Sequence, residues 1–152
     1  MENSIINQLL QQFYTLWHEN DAAYENWSKA HGLSLNTLLV LYSIYDQDQD
    51  GAPCTQKMIC QKWVLAKQTV NTVLKDLEKN GYCTLTPIPT DKRNKMICLT
   101  ETGKEFVHST ISELRQLELY VIEEMGEERM RNMTEGLATF VELFKKGKDK
   151  SK

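Results

Sequence analysis

The chain has 152 residues, 41% of them apolar and 26% charged, with a formal net charge of −3; this is enough apolar material for one packed domain with helical extensions, which excludes a disordered chain. The opening Met1-Glu2-Asn3-Ser4-Ile5 lacks the basic start and small-residue cleavage site of a secretory signal, and no apolar run reaches the roughly 20 residues that span a bilayer, so a cytoplasmic protein without a membrane partner is expected. Cys54, Cys60, Cys83 and Cys98 include no Cys-x-x-Cys pair, which argues against a zinc ribbon or a disulfide framework.

In chain order, Ile5, Ile6, Leu9, Leu10, Phe13, Leu16 and Trp17 recur at three and four residues and predict an amphipathic helix running to Trp27. Ser34 is placed to cap a second helix whose residues Leu35, Leu38, Leu39, Leu41, Tyr42 and Tyr45 are apolar enough for a central core element. A polar loop is expected over Asp46–Pro53. Thr55 can cap a short helix through Met58, Ile59 and Trp63, and a further helix carries Val70, Val73, Leu74 and Leu77 on one face before stopping at Asn80-Gly81. Tyr82–Thr86 and Lys95–Leu99 read as strands flanking the turn Pro87–Asn94, a small hairpin with a charged tip. Thr100 or Thr102 then caps a long helix that Gly126 interrupts, and a last helix ends in a Lys-rich stretch expected to fray over 147–152.

Charge is unevenly spread along this order. Thr55–Lys104 carries nine Lys/Arg and four Asp/Glu, a local balance of +5 inside a chain whose remainder is −8. Within this basic stretch, Lys67, Gln68, Thr69, Asn71, Thr72 and Lys75 lie opposite the apolar face of their helix. Amides in such positions can pair with adenine edges, and lysines with guanine acceptors or phosphates. A solvated helix face would look the same, and it is the adjoining basic hairpin that favours DNA.

Leu77-Glu78-Lys79-Asn80-Gly81, Asp91-Lys92-Arg93 and Leu99-Thr100-Glu101-Thr102-Gly103 follow one another at hairpin spacing. This series resembles the Leu-Glu-x-x-Gly, Asp-x-Arg and Leu-Thr-x-x-Gly motifs of the MarR family, and the likeness covers nearly the whole chain. The resemblance implies a mainly α fold with a small β-hairpin, an α+β winged helix-turn-helix over 33–104, with dimerisation helices over 1–32 and 105–146. It further implies a homodimer on double-stranded, palindromic promoter DNA, acting as a repressor relieved by a small-molecule or stress effector. Asp91, Lys92, Arg93 and Lys95 would form the DNA-binding wing, with Arg93 in the minor groove oriented by Asp91; Lys92 stands where many relatives carry a second Arg. Thr55, Gln56 and Lys57 would meet phosphates, and Trp17 and Tyr42 would line an effector pocket. An intramolecular helical bundle would also cover the apolar stripes, and a winged-helix module that binds protein is the competing function.

Weaker signals point elsewhere. Asp46-x-Asp48-x-Asp50-Gly51 copies the opening of a calcium loop, but Lys57 stands where that loop needs a bidentate Glu. His18, His31 and His108 share no metal-ligand spacing, so neither a metal nor another cofactor is expected. Cys54, read as a loop residue preceding Lys57, is the cysteine to consider for redox sensing. No catalytic constellation is visible, and an enzyme is not expected.

Overall fold

The computed structural model describes residues 2–151, which form six helices and three strands. Met1 and Lys152, the outermost residues of the expected dimerisation region and tail, lie outside them. The first helix, α1 (Glu2–Ala30), is followed by α2 (Leu35–Gln49), whose N-cap Ser34 accepts the Thr37 N–H at 3.1 Å. Helix α2 is the centre of the core, with Leu38, Val40, Leu41 and Ile44 buried. Leu38 and Leu41 are almost wholly removed from water, and each contributes about 1.5–3 kcal/mol.

The expected loop over Asp46–Pro53 is corrected here, because α2 continues through Gln49 and Asp50 is its C-cap. The carboxylates that suggested a loop have partners on other helices. Asp46 pairs with Lys62 at 2.9 Å, and Asp48 accepts from His108 Nε2 at 2.6 Å. Residue-by-residue propensity is thus overridden by charges distant in sequence.

Next come β1 (Cys54–Thr55), α3 (Gln56–Trp63) and α4 (Lys67–Lys79), then β2 (Cys83–Ile88) and β3 (Asp91–Leu99). The expected hairpin is therefore a three-stranded antiparallel sheet of order β1-β3-β2, with Cys54 opposite Ile97 and Thr55 opposite Met96. Edge strand β2 is protected in two ways. Its Leu85 N–H donates to the Glu78 carboxylate at 3.3 Å, and Pro87 has no N–H to offer.

Helix α5 (Glu101–Met125) and helix α6 (Glu127–Lys150) complete the chain, with α6 running into the Lys-rich stretch expected to fray. Two compact units divide after Ser109, inside α5. Among the described residues no helix is long and apolar enough to cross a membrane.

Two of the three motifs meet at the end of α4. Gly81, at φ +78°, lets the helix close with Gly81 N–H on the Glu78 carbonyl at 3.0 Å and Tyr82 N–H on the Leu77 carbonyl at 2.9 Å. Thr100 ties the start of α5 to this turn. Its hydroxyl donates to the Gly81 carbonyl at 2.6 Å and accepts the Gly103 N–H at 3.0 Å, while its own N–H donates to the Tyr82 carbonyl at 3.1 Å. The helices then lie so close that a Cβ on Gly103 would stand 1.7 Å from the Tyr82 carbonyl oxygen.

Candidate nucleic-acid interface

Helices α3 and α4 form a helix-turn-helix joined by Val64-Leu65-Ala66. The turn is made by Val64 in the left-handed region at φ 52°, although its side chain is β-branched and 91% exposed. Ile59 is the buried anchor of α3, while Val70, Val73, Leu74 and Leu77 seat α4 on the core. Trp63 fastens the end of α3 to α2, its indole N–H donating to Ser43 Oγ at 2.6 Å.

That seating turns the opposite face of α4 outward. Lys67, Gln68, Thr72 and Lys75 are exposed, while Thr69 and Asn71 are half-buried at its flanks. Lys79 is exposed on the same side one turn after Lys75, a cation missing from the sequence-derived set. Thr72 donates its hydroxyl to the Gln68 carbonyl at 2.9 Å.

The wing departs from the expected tip. Its strands extend to Ile88 and Asp91, so Asp91, Lys92, Arg93 and Lys95 all belong to β3 and only Pro89-Thr90 make the turn. Pro87 opposes Lys95 and Ile88 opposes Asp91, which leaves Lys92, Arg93 and Asn94 as a bulge without partners in the register of β2. Lys92 and Arg93 are exposed and Lys95 is half-buried. Asp91 accepts the main-chain N–H of Arg93 at 3.3 Å. It thereby shapes the backbone under Arg93, where the resemblance implied a bond to the guanidinium.

At the start of α3 the three expected phosphate contacts divide. Lys57 is exposed, and Thr55 is half-buried with its hydroxyl accepting the Met58 N–H at 3.3 Å as the helix cap. Gln56 is a correction: its side chain is buried, and its amide donates to the Lys67 carbonyl at 3.4 Å, so it faces α4 and not solvent. Asn94 was missed altogether, and its Oδ1 accepts the Lys57 N–H at 3.1 Å.

The cysteine reading also changes. Cys54 is a buried strand residue, and burial pushes its thiol up to about 12 against the opposing pull of Lys62. The loop placement of Cys54 is corrected, and burial disfavours the thiolate that redox sensing would use. Cys83 is likewise buried, and burial, aided by Glu78 and Cys98, raises it to about 11. Of the proposed effector residues, Trp17 packs on Phe13 at 5.9 Å and Tyr42 packs edge-on against Trp63 at 6.3 Å. His31 stacks on Trp27 and donates from Nδ1 to its carbonyl at 2.8 Å.

Comparison with known proteins agrees with this architecture. The MarR family profile matches residues 31–94. The transcriptional regulator SarZ of Staphylococcus epidermidis is 30% identical over 142 residues, covering 93% of this chain and 92% of the relative. A MarR family regulator of Neisseria meningitidis, NMB1585, superposes with a TM-score of 0.80 at 28% identity, covering 95% of this chain and 99% of that one. The Staphylococcus aureus MepR–DNA complex has the same fold, with a TM-score of 0.66 at 21% identity over 87% of this chain and 94% of that one. With the helix-turn-helix, the wing and the three motifs in their places, the chain belongs to the MarR family of winged helix-turn-helix transcriptional regulators.

Proposed function

We propose that this chain is a cytoplasmic repressor that binds palindromic promoter DNA as a homodimer and is released by a small-molecule or stress effector. Each subunit sets α4 in the major groove, where Gln68 and Lys67 reach base edges and Lys75 a phosphate, and Arg93 in the adjacent minor groove. Thr69, Asn71 and Thr72 complete the α4 contact surface, Lys92 and Lys95 add wing charge, and Thr55 and Lys57 lie toward the backbone. The observation that carries this reading is the joining of an exposed polar and cationic face on α4 to a cationic bulge on the wing, in a chain whose remainder is acidic. DNA in the MepR complex supports the partner class.

A homodimer is supported by apolar side chains left open on the terminal helices. Leu9 is 59% exposed and Phe144 66%, and no residue of α6 is buried. A twofold partner would cover both faces and give two half-sites about one helical turn apart. Effector contacts at Trp17 and Tyr42 rest on the family resemblance.

Fluorescence anisotropy on duplexes recovered from genomic fragments tests the reading. Arg93→Ala should weaken binding by about 1–3 kcal/mol, and Lys75→Ala should lower the salt dependence by about one counterion. A folded wild-type protein with no preference for any duplex, or a monomer by light scattering at micromolar concentration, would overturn it.

A further inference from the structure

Resting on that DNA-binding reading, we propose that Asn94 and Gln56 are positioning residues that lock the wing to the recognition helix, so that both grooves are engaged as one rigid unit. The first turn of a helix has N–H groups with no partner inside the helix. In α3 two of these are satisfied from outside: Thr55 takes the Met58 N–H, and Asn94, from the wing bulge, takes that of Lys57. Because a main-chain N–H can only donate, the Asn94 contact is made by its carbonyl oxygen.

The next residue back continues the connection. Gln56 is buried, and its amide nitrogen donates to the main-chain carbonyl of Lys67, the first residue of α4. A buried amide needs that partner, so the bond is costly to break. The resulting path runs from Asn94 to Lys57, across one peptide unit to Gln56, and on to Lys67. Its ends fall where the two grooves are read: Arg93 immediately precedes Asn94, and Lys67 opens α4. Thr55 opposite Met96 adds a second attachment of α3 to β3.

Holding the two reading groups at a fixed separation makes the second contact intramolecular once the first has formed, at high effective concentration. A misplacement of about 1 Å in such a constellation is enough to weaken it. Neither Asn94 nor Gln56 needs to touch DNA for this. Their effect is on how much Arg93 contributes.

A double-mutant cycle reads that quantity. With anisotropy on a selected duplex at fixed salt, Asn94→Ala should weaken binding about three- to tenfold, the loss of one hydrogen bond expressed in affinity. Arg93→Ala should then cost much less in the Asn94→Ala background than in wild type. Asn94→Asp keeps the accepting oxygen and should restore the coupling even though its added charge lowers affinity. Gln56→Met, of similar size but unable to donate, cuts the other bond and should show the same loss of Arg93 contribution, which protects the test if either variant folds poorly by circular dichroism. Additive effects at either position, or Asn94→Ala binding as tightly as wild type, would overturn the inference. A wild-type protein that binds no duplex instead sinks the DNA reading beneath it, and a silent Arg93→Ala removes the wing contact there was to hold.

Discussion

Gly103→Ala sets two well-known magnitudes against each other. Gly103 lies in the first turn of α5, and on helix propensity alone an Ala there would stabilise the chain by about 1 kcal/mol. The added Cβ, however, would sit 1.7 Å from the Tyr82 carbonyl oxygen and 2.7 Å from its carbon. Both are backbone atoms, held by the Tyr82 N–H bond to Leu77 and the Thr100 N–H bond to Tyr82, so no side chain can rotate away. The start of α5 and the entry to β2 must separate by more than the hydrogen bonds between them can stretch. Overpacking costs about 1–3 kcal/mol and the lost Thr100 bond about 1 more, so the steric side wins by a net of about 1–3 kcal/mol. At this chain length that lowers Tm by roughly 3–10 °C. The assay is thermal unfolding by far-ultraviolet circular dichroism at one fixed protein concentration, because association shifts Tm by mass action. Gly136→Ala in α6, where a Cβ meets nothing within 4 Å, is the matched control and should be stabilised. A Gly103→Ala protein that melts at or above the wild-type temperature would refute the reasoning.

Other expectations follow from single features of the same lobe. Val64→Gly should raise stability by about 0.5–1 kcal/mol, because relief of a left-handed valine exceeds the entropy cost of glycine and an exposed side chain loses little burial; denaturant titration would reveal the opposite sign. Iodoacetamide at mildly alkaline pH should label half-buried Cys60 and Cys98 well before Cys54 and Cys83, and equal rates by mass spectrometry would contradict the burial argument. The same burial makes stability pH-dependent. With the Cys54 thiol raised from 9.0 to about 12 in the fold, its contribution is complete below pH 9.0 and is lost as pH rises through about 12, so the gap between wild type and Cys54→Ser should narrow over that range. Ser34→Ala should cost about 1 kcal/mol by removing the cap of α2, and an unchanged unfolding midpoint would show that water replaces it.

Features written in local chemistry are legible in the residues themselves. Ser34 and Thr55 are identifiable as caps because a hydroxyl can reach an N–H three residues on, and Gly81 as a stop because the left-handed position excludes most side chains. The outward set on α4 follows from the spacing of Val70, Val73, Leu74 and Leu77. What escapes reading depends on partners far along the chain. Strand β1 has two residues and exists only because β3 lies beside it. Helix α2 outlasts its apolar pattern because Lys62 and His108 meet its carboxylates, and Gln56 looks like a surface residue until Lys67 is folded against it. Asn94 falls in the same class, since a wing residue reveals its role only when the first turn of α3 arrives opposite.

The hem of the small sheet has a further consequence. On one side it ends in β1, too brief to template a neighbour, and on the other Glu78 occupies the Leu85 amide beside a proline that offers none. Copies of the chain crowded together in a concentrated solution therefore find little to grip along this border. Contact between them is steered toward the greasy flanks of the terminal helices, where the symmetric pair proposed above would close on itself and not grow into a fibre.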